Sequence, residues 1–230
     1  MRYSTFLIDF DHTLFDSDGS EHTAFAQAMS VAGVERVRGH AEVFRRINLE
    51  LWREVERGRM SPQQVKLRRF ERLVEEAALD ANACEMAEAY VVGLANNGEL
   101  YPGALEVLET LAGNASLALV TNGLSEVQRV RIQRTGILPY FDAVVISAEV
   151  GTAKPAHEIF DITFDQLGAP RKETAVMVGD NLVSDISGGA NYGISTCWYN
   201  PRRRQSGPKD RITHEIRTLD GLLVLGNVKK

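Results

Sequence analysis

Five short apolar runs constrain this chain more than any other feature. Phe6-Leu7-Ile8 stops at Asp9, Leu117-Ala118-Leu119-Val120 at Thr121, Ala143-Val144-Val145-Ile146 at Ser147, and Ala175-Val176-Met177-Val178 at Gly179-Asp180. Ser195-Thr196-Cys197-Trp198-Tyr199 is the fifth. Runs this short, non-alternating and rich in β-branched residues read as strands buried on both faces, the habit of a parallel sheet. Helical stretches lie between them at Ser125–Thr135, Ala156–Leu167 and Ser184–Tyr192, with Gly136 and Gly168 as stops after the first two. The expected fold is α/β: a Rossmann-like, doubly wound parallel sheet with right-handed crossovers. Ligands of such sheets bind at the carboxyl ends of the strands, where the polar residues named above stand.

The stretch from 17 to 97 is different. It has no strand-like run, and its apolar residues fall at helical spacing: Phe44, Ile47, Leu51 and Val55, then Leu67, Phe70, Val74 and Ala77. Ser61-Pro62-Gln63-Gln64 reads as a helix start, with Ser61 as N-cap, Pro62 at the first position and Gln64 closing a capping box. An all-helical cap domain is therefore expected as an insertion at 17–97, with the catalytic core formed by 1–16 and 98–230. Asp16-Ser17-Asp18-Gly19-Ser20 and Asn96-Asn97-Gly98-Glu99 are rich in turn formers and read as the hinges.

Composition excludes several function classes. Hydrophobic residues make up 44% of the 230 and charged residues 25%, enough apolar material for a sizeable core. The net charge of −5 gives no basic field to recruit a nucleic-acid polymer or an acidic membrane. No run approaches the roughly 18 apolar residues of a membrane span. Cys84 and Cys197 are too few and too far apart for a disulfide framework, so the expected compartment is the cytoplasm. The Pro201–Pro208 loop, with Arg202, Arg203 and Arg204, reads as a solvated charged loop. The five histidines show no zinc spacing, and no Gly-x-x-x-x-Gly-Lys-Ser/Thr loop exists for a P-loop kinase. Ser125 and Ser147 lack identifiable His–Asp partners for serine hydrolysis.

Chemistry gathers at the strand ends. Asp9 and Asp11 stand two apart on an extended segment, so both can face one point. Close carboxylates repel unless a cation or a shared proton sits between them. Thr121 and Asn122 offer a hydroxyl and an amide to a phosphoryl oxygen. Lys154, just ahead of a helix, would neutralise the aspartates and hold a phosphate, and Asp180 and Asp185 bring two more carboxylates to the same edge. An oxygen-rich site of this kind suits Mg²⁺ better than a transition metal.

Asp9-x-Asp11-x-Thr13, Thr121, Lys154 and Gly179-Asp180-x₄-Asp185 together resemble the four motifs of the haloacid dehalogenase superfamily, and the insertion resembles its C1-type helical cap. The resemblance implies that Asp9 is a nucleophile that becomes an aspartyl phosphate. It makes Asp11 the acid and then the base, and Thr121 and Lys154 the holders of the phosphoryl group. It also implies Mg²⁺ bound by the Asp9 carboxylate, the Asp11 backbone carbonyl and Asp180, with Asp185 in support. Dehalogenases of the superfamily lack an acid at the second position, so Asp11 favours phosphate chemistry. His12 departs from the Asp or Gly of many relatives and is expected to tune the site or face solvent.

Longer stretches are similar to the bacterial pyrimidine 5′-nucleotidase branch. These are Ile47-Asn48-Leu49-Glu50-Leu51-Trp52, Glu56-Arg57-Gly58, Arg68-Arg69-Phe70, and Gly188-Gly189-Ala190-Asn191-Tyr192-Gly193-Ile194 with Cys197-Trp198-Tyr199-Asn200-Pro201. By helical spacing alone Trp52 and Phe70 fill the cap core, and Arg68 and Arg69 stay open between solvent and a site role. The expected activity is Mg²⁺-dependent hydrolysis of a small phosphomonoester, most specifically a pyrimidine nucleoside 5′-monophosphate. A sugar-phosphate phosphomutase or phosphatase of the same superfamily and a non-enzymatic nucleotide binder are the alternatives.

Overall fold

A computed structural model describes residues 3–34, 37–207 and 210–226. Six parallel strands form one sheet: β1 (Thr5–Ile8), β2 (Ser116–Thr121), β3 (Ala143–Ile146), β4 (Ala175–Gly179), β5 (Ser195–Tyr199) and β6 (His214–Ile216). Their order is β3-β2-β1-β4-β5-β6. The five expected strands are present. The sixth was missed because His214-Glu215-Ile216 is a three-residue edge strand with no apolar run.

The chain winds outward from β1 in one direction through β2 and β3, then in the other through β4, β5 and β6. The strand order reverses at β1, which is where a doubly wound sheet opens a crevice. Ile8 pairs with Leu119 on one side and Val178 on the other, so the residues just beyond them converge on that crevice.

Side-chain alternation fixes the layers. Phe6 and Ile8 join an apolar cluster with α5 (Ala104–Ala112) and α10 (Gly221–Leu225) on one face. Leu7 points to the other face, into a cluster with Ile159, Phe160 and Phe164 of α8 (His157–Gln166). Burial on both faces is why these strands lack polar alternation.

Four helices follow β1: α1 (Ser17–Val31), α2 (Val37–Glu56), α3 (Pro62–Glu76) and α4 (Ala83–Asn96). They enclose an apolar cluster built on Phe25, Phe44, Phe70 and Tyr90, whose neighbouring ring centroids lie 4.5 to 5.4 Å apart. Ser61 begins α3 with the expected reciprocal capping box and Pro62 in the first turn. The buried stripe of α3 is rotated from the expected one. Val65, Phe70 and Leu73 are buried, whereas Leu67, Val74 and Ala77 are only partly covered. None of the described helices is long and apolar enough to cross a membrane.

The connections to these helices differ from the expected hinges. Ser17 to Ser20 already form the first turn of α1. The two linking segments are bonded to each other, Asp16 N donating to Glu99 O at 2.8 Å and Tyr101 N to Leu14 O at 2.8 Å, with a bridge between Phe15 and Leu100. Further along, α6 (Ser125–Thr135) and the short α7 (Ser147–Val150) follow β2 and β3. The expected helix at 184–192 is a π-helical turn, Leu182–Ser187, leading into α9 (Gly188–Tyr192).

Candidate active site

The loop after β1 folds tightly on itself. Leu14 N and Phe15 N both donate to Phe10 O, at 2.9 and 3.0 Å, and His12 takes the left-handed φ of 60° that the turn requires. Asp9 is thereby held at the end of β1, its backbone N–H on Val178 O at 2.9 Å. Its carboxylate accepts from Thr13 Oγ1 at 3.0 Å on one oxygen and from Lys154 Nζ at 2.7 Å on the other.

Lys154 is 1% exposed, and its ammonium is fully engaged. Nζ lies 2.7 Å from Asp9 Oδ1, from Asp185 Oδ1 and from the Val120 carbonyl, one partner for each of its three protons. Burial alone would lower its pKa, but Asp185 and Asp9 outweigh that and raise it, so it stays a cation. The Asn122 carboxamide grips the Lys154 backbone at both ends, Oδ1 accepting from its N–H at 2.8 Å and Nδ2 donating to its carbonyl at 2.7 Å. That side chain, expected to meet a phosphoryl oxygen, lines the cavity and commits one of its two amide protons to the lysine turn.

The end of β4 supplies the other carboxylates. Asp185 folds back on Gly179 so closely that a Cβ there would sit 2.1 Å from its Oδ2, a space only glycine leaves. Oδ2 also accepts from Asn181 N at 3.0 Å. One carboxylate oxygen from each of Asp9, Asp180 and Asp185 lies within 4.8 Å of the others. Burial, opposed by Lys154 and reinforced by Asp185 and Asp180, pushes the Asp9 carboxyl up to about 7. Burial and Asp185 raise Asp180 as well. Three carboxylates crowded at one point against one lysine fit a hard divalent cation, since a shared cation relieves that repulsion.

Asp11 meets a different set of partners. Oδ1 takes Arg131 Nη1 at 2.6 Å and the Ser17 hydroxyl, and Oδ2 takes Gln128 Nε2 at 2.6 Å. Burial would raise its pKa, but the Arg131 guanidinium and the Ser17 hydroxyl win and hold it below the usual carboxylate range. Asp11 is therefore a carboxylate here, in its base form. Gln128 Nε2 bonds the Thr121 hydroxyl at 2.7 Å as well, leaving that hydroxyl's own proton to donate. Gln128 lies flat against Gly123, where a Cβ would approach its Nε2 to 2.5 Å.

Sequence reasoning missed Gln128 and Arg131, both buried on α6. Arg131 is a junction: Nη1 reaches Asp11, Nη2 the Ser20 hydroxyl of α1 at 2.6 Å, and Nε the Leu94 carbonyl of α4 at 2.8 Å. The available signal was the pair Gln128 and Arg131 at helical spacing beside the apolar Val127 and Ile132. Arg204 was also missed. The loop expected to be merely solvated places it over the Trp198 ring, donating to the Asp180 carbonyl and carboxylate. Pro208 of that loop lies outside the described residues. His12 is half-buried and borders the cavity. Burial would lower its pKa, but Asp180, Asp11, Glu21 and Asp18 raise it.

Asp9, Asp11, Thr121, Gln128, Arg131, Lys154, Asp180 and Asp185 floor a cavity of about 410 Å³ roofed by α1 to α4, a size suited to a small metabolite. Trp52 lines it while packing partly against the apolar cluster, so it is more than a core filler. Phe70 is a core filler, fully buried. Arg68 is exposed, whereas Arg69 is 2% exposed and borders the cavity. Glu56 of α2 accepts from Asn181 Nδ2 at 2.8 Å, joining roof to floor beside Asp180.

The comparisons with known proteins agree with this fold. The model of the haloacid dehalogenase-like hydrolase family matches residues 3–193. The chain is 33% identical to pyrimidine 5′-nucleotidase PynA of Streptococcus pneumoniae, over 97% of this chain and 94% of that protein. It is 36% identical to pyrimidine 5′-nucleotidase YjjG of Escherichia coli, over 89% of each. A magnesium-bound crystal structure of the putative HAD-hydrolase YfnB of Bacillus subtilis, described as revealing interdomain movement, superposes with a TM-score of 0.90 at 31% identity. It covers 99% of this chain and 100% of that one. With the strand-end aspartates, the lysine and the helical roof already in place, the chain belongs to the haloacid dehalogenase-like hydrolases.

Proposed function

We propose that this hydrolase is a Mg²⁺-dependent phosphomonoesterase working through an aspartyl phosphate, and that its substrates are pyrimidine nucleoside 5′-monophosphates. Residues 1–16 and 98–230 serve as the catalytic core and 17–97 as the cap. Asp9 is the nucleophile, and Thr121 and Lys154 receive the phosphoryl group. The observation that carries the reading is the meeting of Asp9, Lys154, Asp180 and Asp185 at one strand edge beneath an enclosed cavity. A carboxylate attacking a phosphate dianion faces repulsion between like charges, and this cluster is arranged to offset it.

Mg²⁺ bound by Asp9, the Asp11 carbonyl and Asp180 would supply charge neutralisation at the transferring phosphoryl group. Asp185 has both oxygens committed to Lys154 and Asn181 N, which suits support rather than ligation. Lys154 spreads its charge between Asp9 and Asp185 and meets an incoming phosphoryl oxygen by giving up part of those contacts. The Thr121 hydroxyl, oriented by Gln128, donates to a second oxygen. In its base form Asp11 matches the second half-reaction, activating the water that cleaves the aspartyl phosphate. To protonate the leaving ester oxygen in the first half, it must take up a proton and release Arg131.

The pyrimidine preference rests on the two nucleotidase relatives and on a roof that adds the Trp52 ring to polar side chains. The two cysteines, unpaired here, support a cytoplasmic setting. Phosphate release from a panel of nucleotides, sugar phosphates and phospho-acids, with Mg²⁺ and with a chelator, tests the proposal. Turnover that needs Mg²⁺ and is fastest on pyrimidine 5′-monophosphates supports it. A wild-type protein as inert as Asp9→Asn across the panel overturns it.

A further inference from the structure

The roof of the cavity contains a charge the chain leaves incompletely partnered. Arg69 of α3 is 2% exposed and borders the cavity. Among the described residues, its Nε and Nη2 have no hydrogen-bond partner, and both are shut off from solvent. Its one hydrogen bond, Nη1 to Asn48 Oδ1, is 3.3 Å long, past the usual range for an N–H donor. The guanidinium rests on the Tyr90 ring, 4.4 Å from its centroid, a contact that leaves the in-plane N–H groups uncommitted. A buried cation with unmade hydrogen bonds is costly. The cost is withdrawn once the guanidinium turns and a ligand in the cavity offers acceptors to that edge.

The charge around the cavity says what kind of acceptor that is. Six carboxylates line it (Asp9, Asp11, Glu21, Glu56, Asp180 and Asp185) against four cations, Arg45, Arg69, Arg131 and Lys154. With His12 neutral one divalent ion balances these formal charges, and a phosphomonoester dianion then brings excess negative charge. A second anionic group on the substrate would meet Arg69 only alongside Glu21, whose charge acts on the same guanidinium. A neutral carbonyl carries two lone pairs and no charge, so it takes the free donors without that repulsion.

We propose that Arg69 is a specificity residue that donates from its Nε–Nη2 edge to the ring carbonyl of a pyrimidine base, turning off Asn48 toward the occupied cavity. This rests on the nucleotide reading above and names how a base with a ring carbonyl is told from adenine. Adenine has no ring carbonyl to offer, and binding it would leave the guanidinium as unsatisfied as before.

Steady-state kinetics of wild type, Arg69→Met and Arg69→Lys separate the possibilities. The substrates are uridine 5′-monophosphate, adenosine 5′-monophosphate, ribose 5-phosphate and uridine 3′,5′-bisphosphate. Arg69→Met should lower kcat/KM on uridine 5′-monophosphate roughly 10- to 100-fold, chiefly through KM, and leave ribose 5-phosphate within about twofold. Arg69→Lys should recover little, since an ammonium lacks the planar pair of donors. The Tm of Arg69→Met should equal or exceed that of wild type, because an unsatisfied cation has been removed.

Equal losses on uridine 5′-monophosphate and ribose 5-phosphate would assign Arg69 a structural role and overturn the proposal. So would an unchanged uridine 5′-monophosphate rate, full rescue by lysine, or a loss confined to the bisphosphate. Should Arg69→Met not fold, the lysine variant decides alone by the same ratio. A wild type that hydrolyses none of the four substrates refutes the nucleotide reading, whatever the variants do.

Discussion

The floor and the roof of the cavity are built on opposite principles. On the floor the lysine and the carboxylates that orient it are fully hydrogen-bonded, even though negative charge is in excess there. Lys154 has three partners for three protons, both oxygens of Asp185 accept, and Asp11 is held from both sides. In the roof, among the described residues, Arg69 holds one long hydrogen bond and two buried donors without partners, and the Tyr90 hydroxyl has no hydrogen-bond partner either. A preorganised floor keeps its geometry without substrate, as chemistry on a transferring group demands. An unsatisfied roof carries a penalty that a fitting leaving group removes, and this is a way to select one.

Removing the proposed nucleophile should break this contrast most severely. Asp9→Asn should reduce phosphate release by roughly 10⁴-fold or more while the fold persists, read by a coupled phosphate assay and by circular dichroism. Retained turnover would place the chemistry elsewhere in the cavity.

Lys154→Met tests whether the floor is a closed network. It leaves Asp9 and Asp185 buried and facing each other with no cation, and the expected loss is about 3–5 kcal/mol in urea unfolding. A loss under about 1 kcal/mol would mean that Lys154 does not hold the two carboxylates together.

The metal-free floor should also register pH. Because the folded Asp9 carboxyl is pushed up to about 7, it binds its proton more tightly than the unfolded chain does. The stability this brings is fully present below the ordinary aspartate range and fades as pH climbs through about 7. In chelator, Tm should therefore fall by several degrees between pH 5 and pH 8, and Mg²⁺ should raise it more at pH 8 than at pH 5. A flat chelated profile would contradict the crowding of carboxylates at this point.

The smallest effect belongs to the roof's own scaffold. Ser61→Ala removes the side chain that accepts from Gln64 N at the start of α3, at an expected cost of about 1 kcal/mol. The ratio of kcat/KM between uridine 5′-monophosphate and ribose 5-phosphate should stay put. A shifted ratio would show that the start of α3 helps set the position of Arg69.

Legibility in the sequence follows the same division. The floor was readable in part because three of its residues stand at the end of an apolar run: Asp9 after Ile8, Thr121 after Val120, Asp180 after Gly179 at the end of β4. Parallel pairing in register then brings those ends together. The residues that orient the floor were harder to find. Arg131 and Gln128 sit on a helix poor in apolar residues, where an arginine and a glutamine read as surface. Only the packing of α1 and α4 against α6 turns them inward. Arg69 differs from Arg68 by one helical step, and the rotation of α3 that decides between them is set by tertiary contacts rather than by periodicity. Arg204 depended on the tight turn over Asn200 that folds it back onto Trp198, and an arginine in a charged loop reads as solvated.

The linking segments around Asp16 and Glu99 carry a consequence for how such a molecule diversifies. Because the outgoing and returning strands are stitched to each other, the distance between the two ends of the insert is fixed by the stitch, whatever lies beyond it. Lengthening or replacing the intervening helices then adds only a slowly growing closure entropy and asks nothing new of the sheet. On the proposed division into core and cap, the helical module is a cassette in a fixed socket, and replacing it would change what is recognised without touching the groups that react.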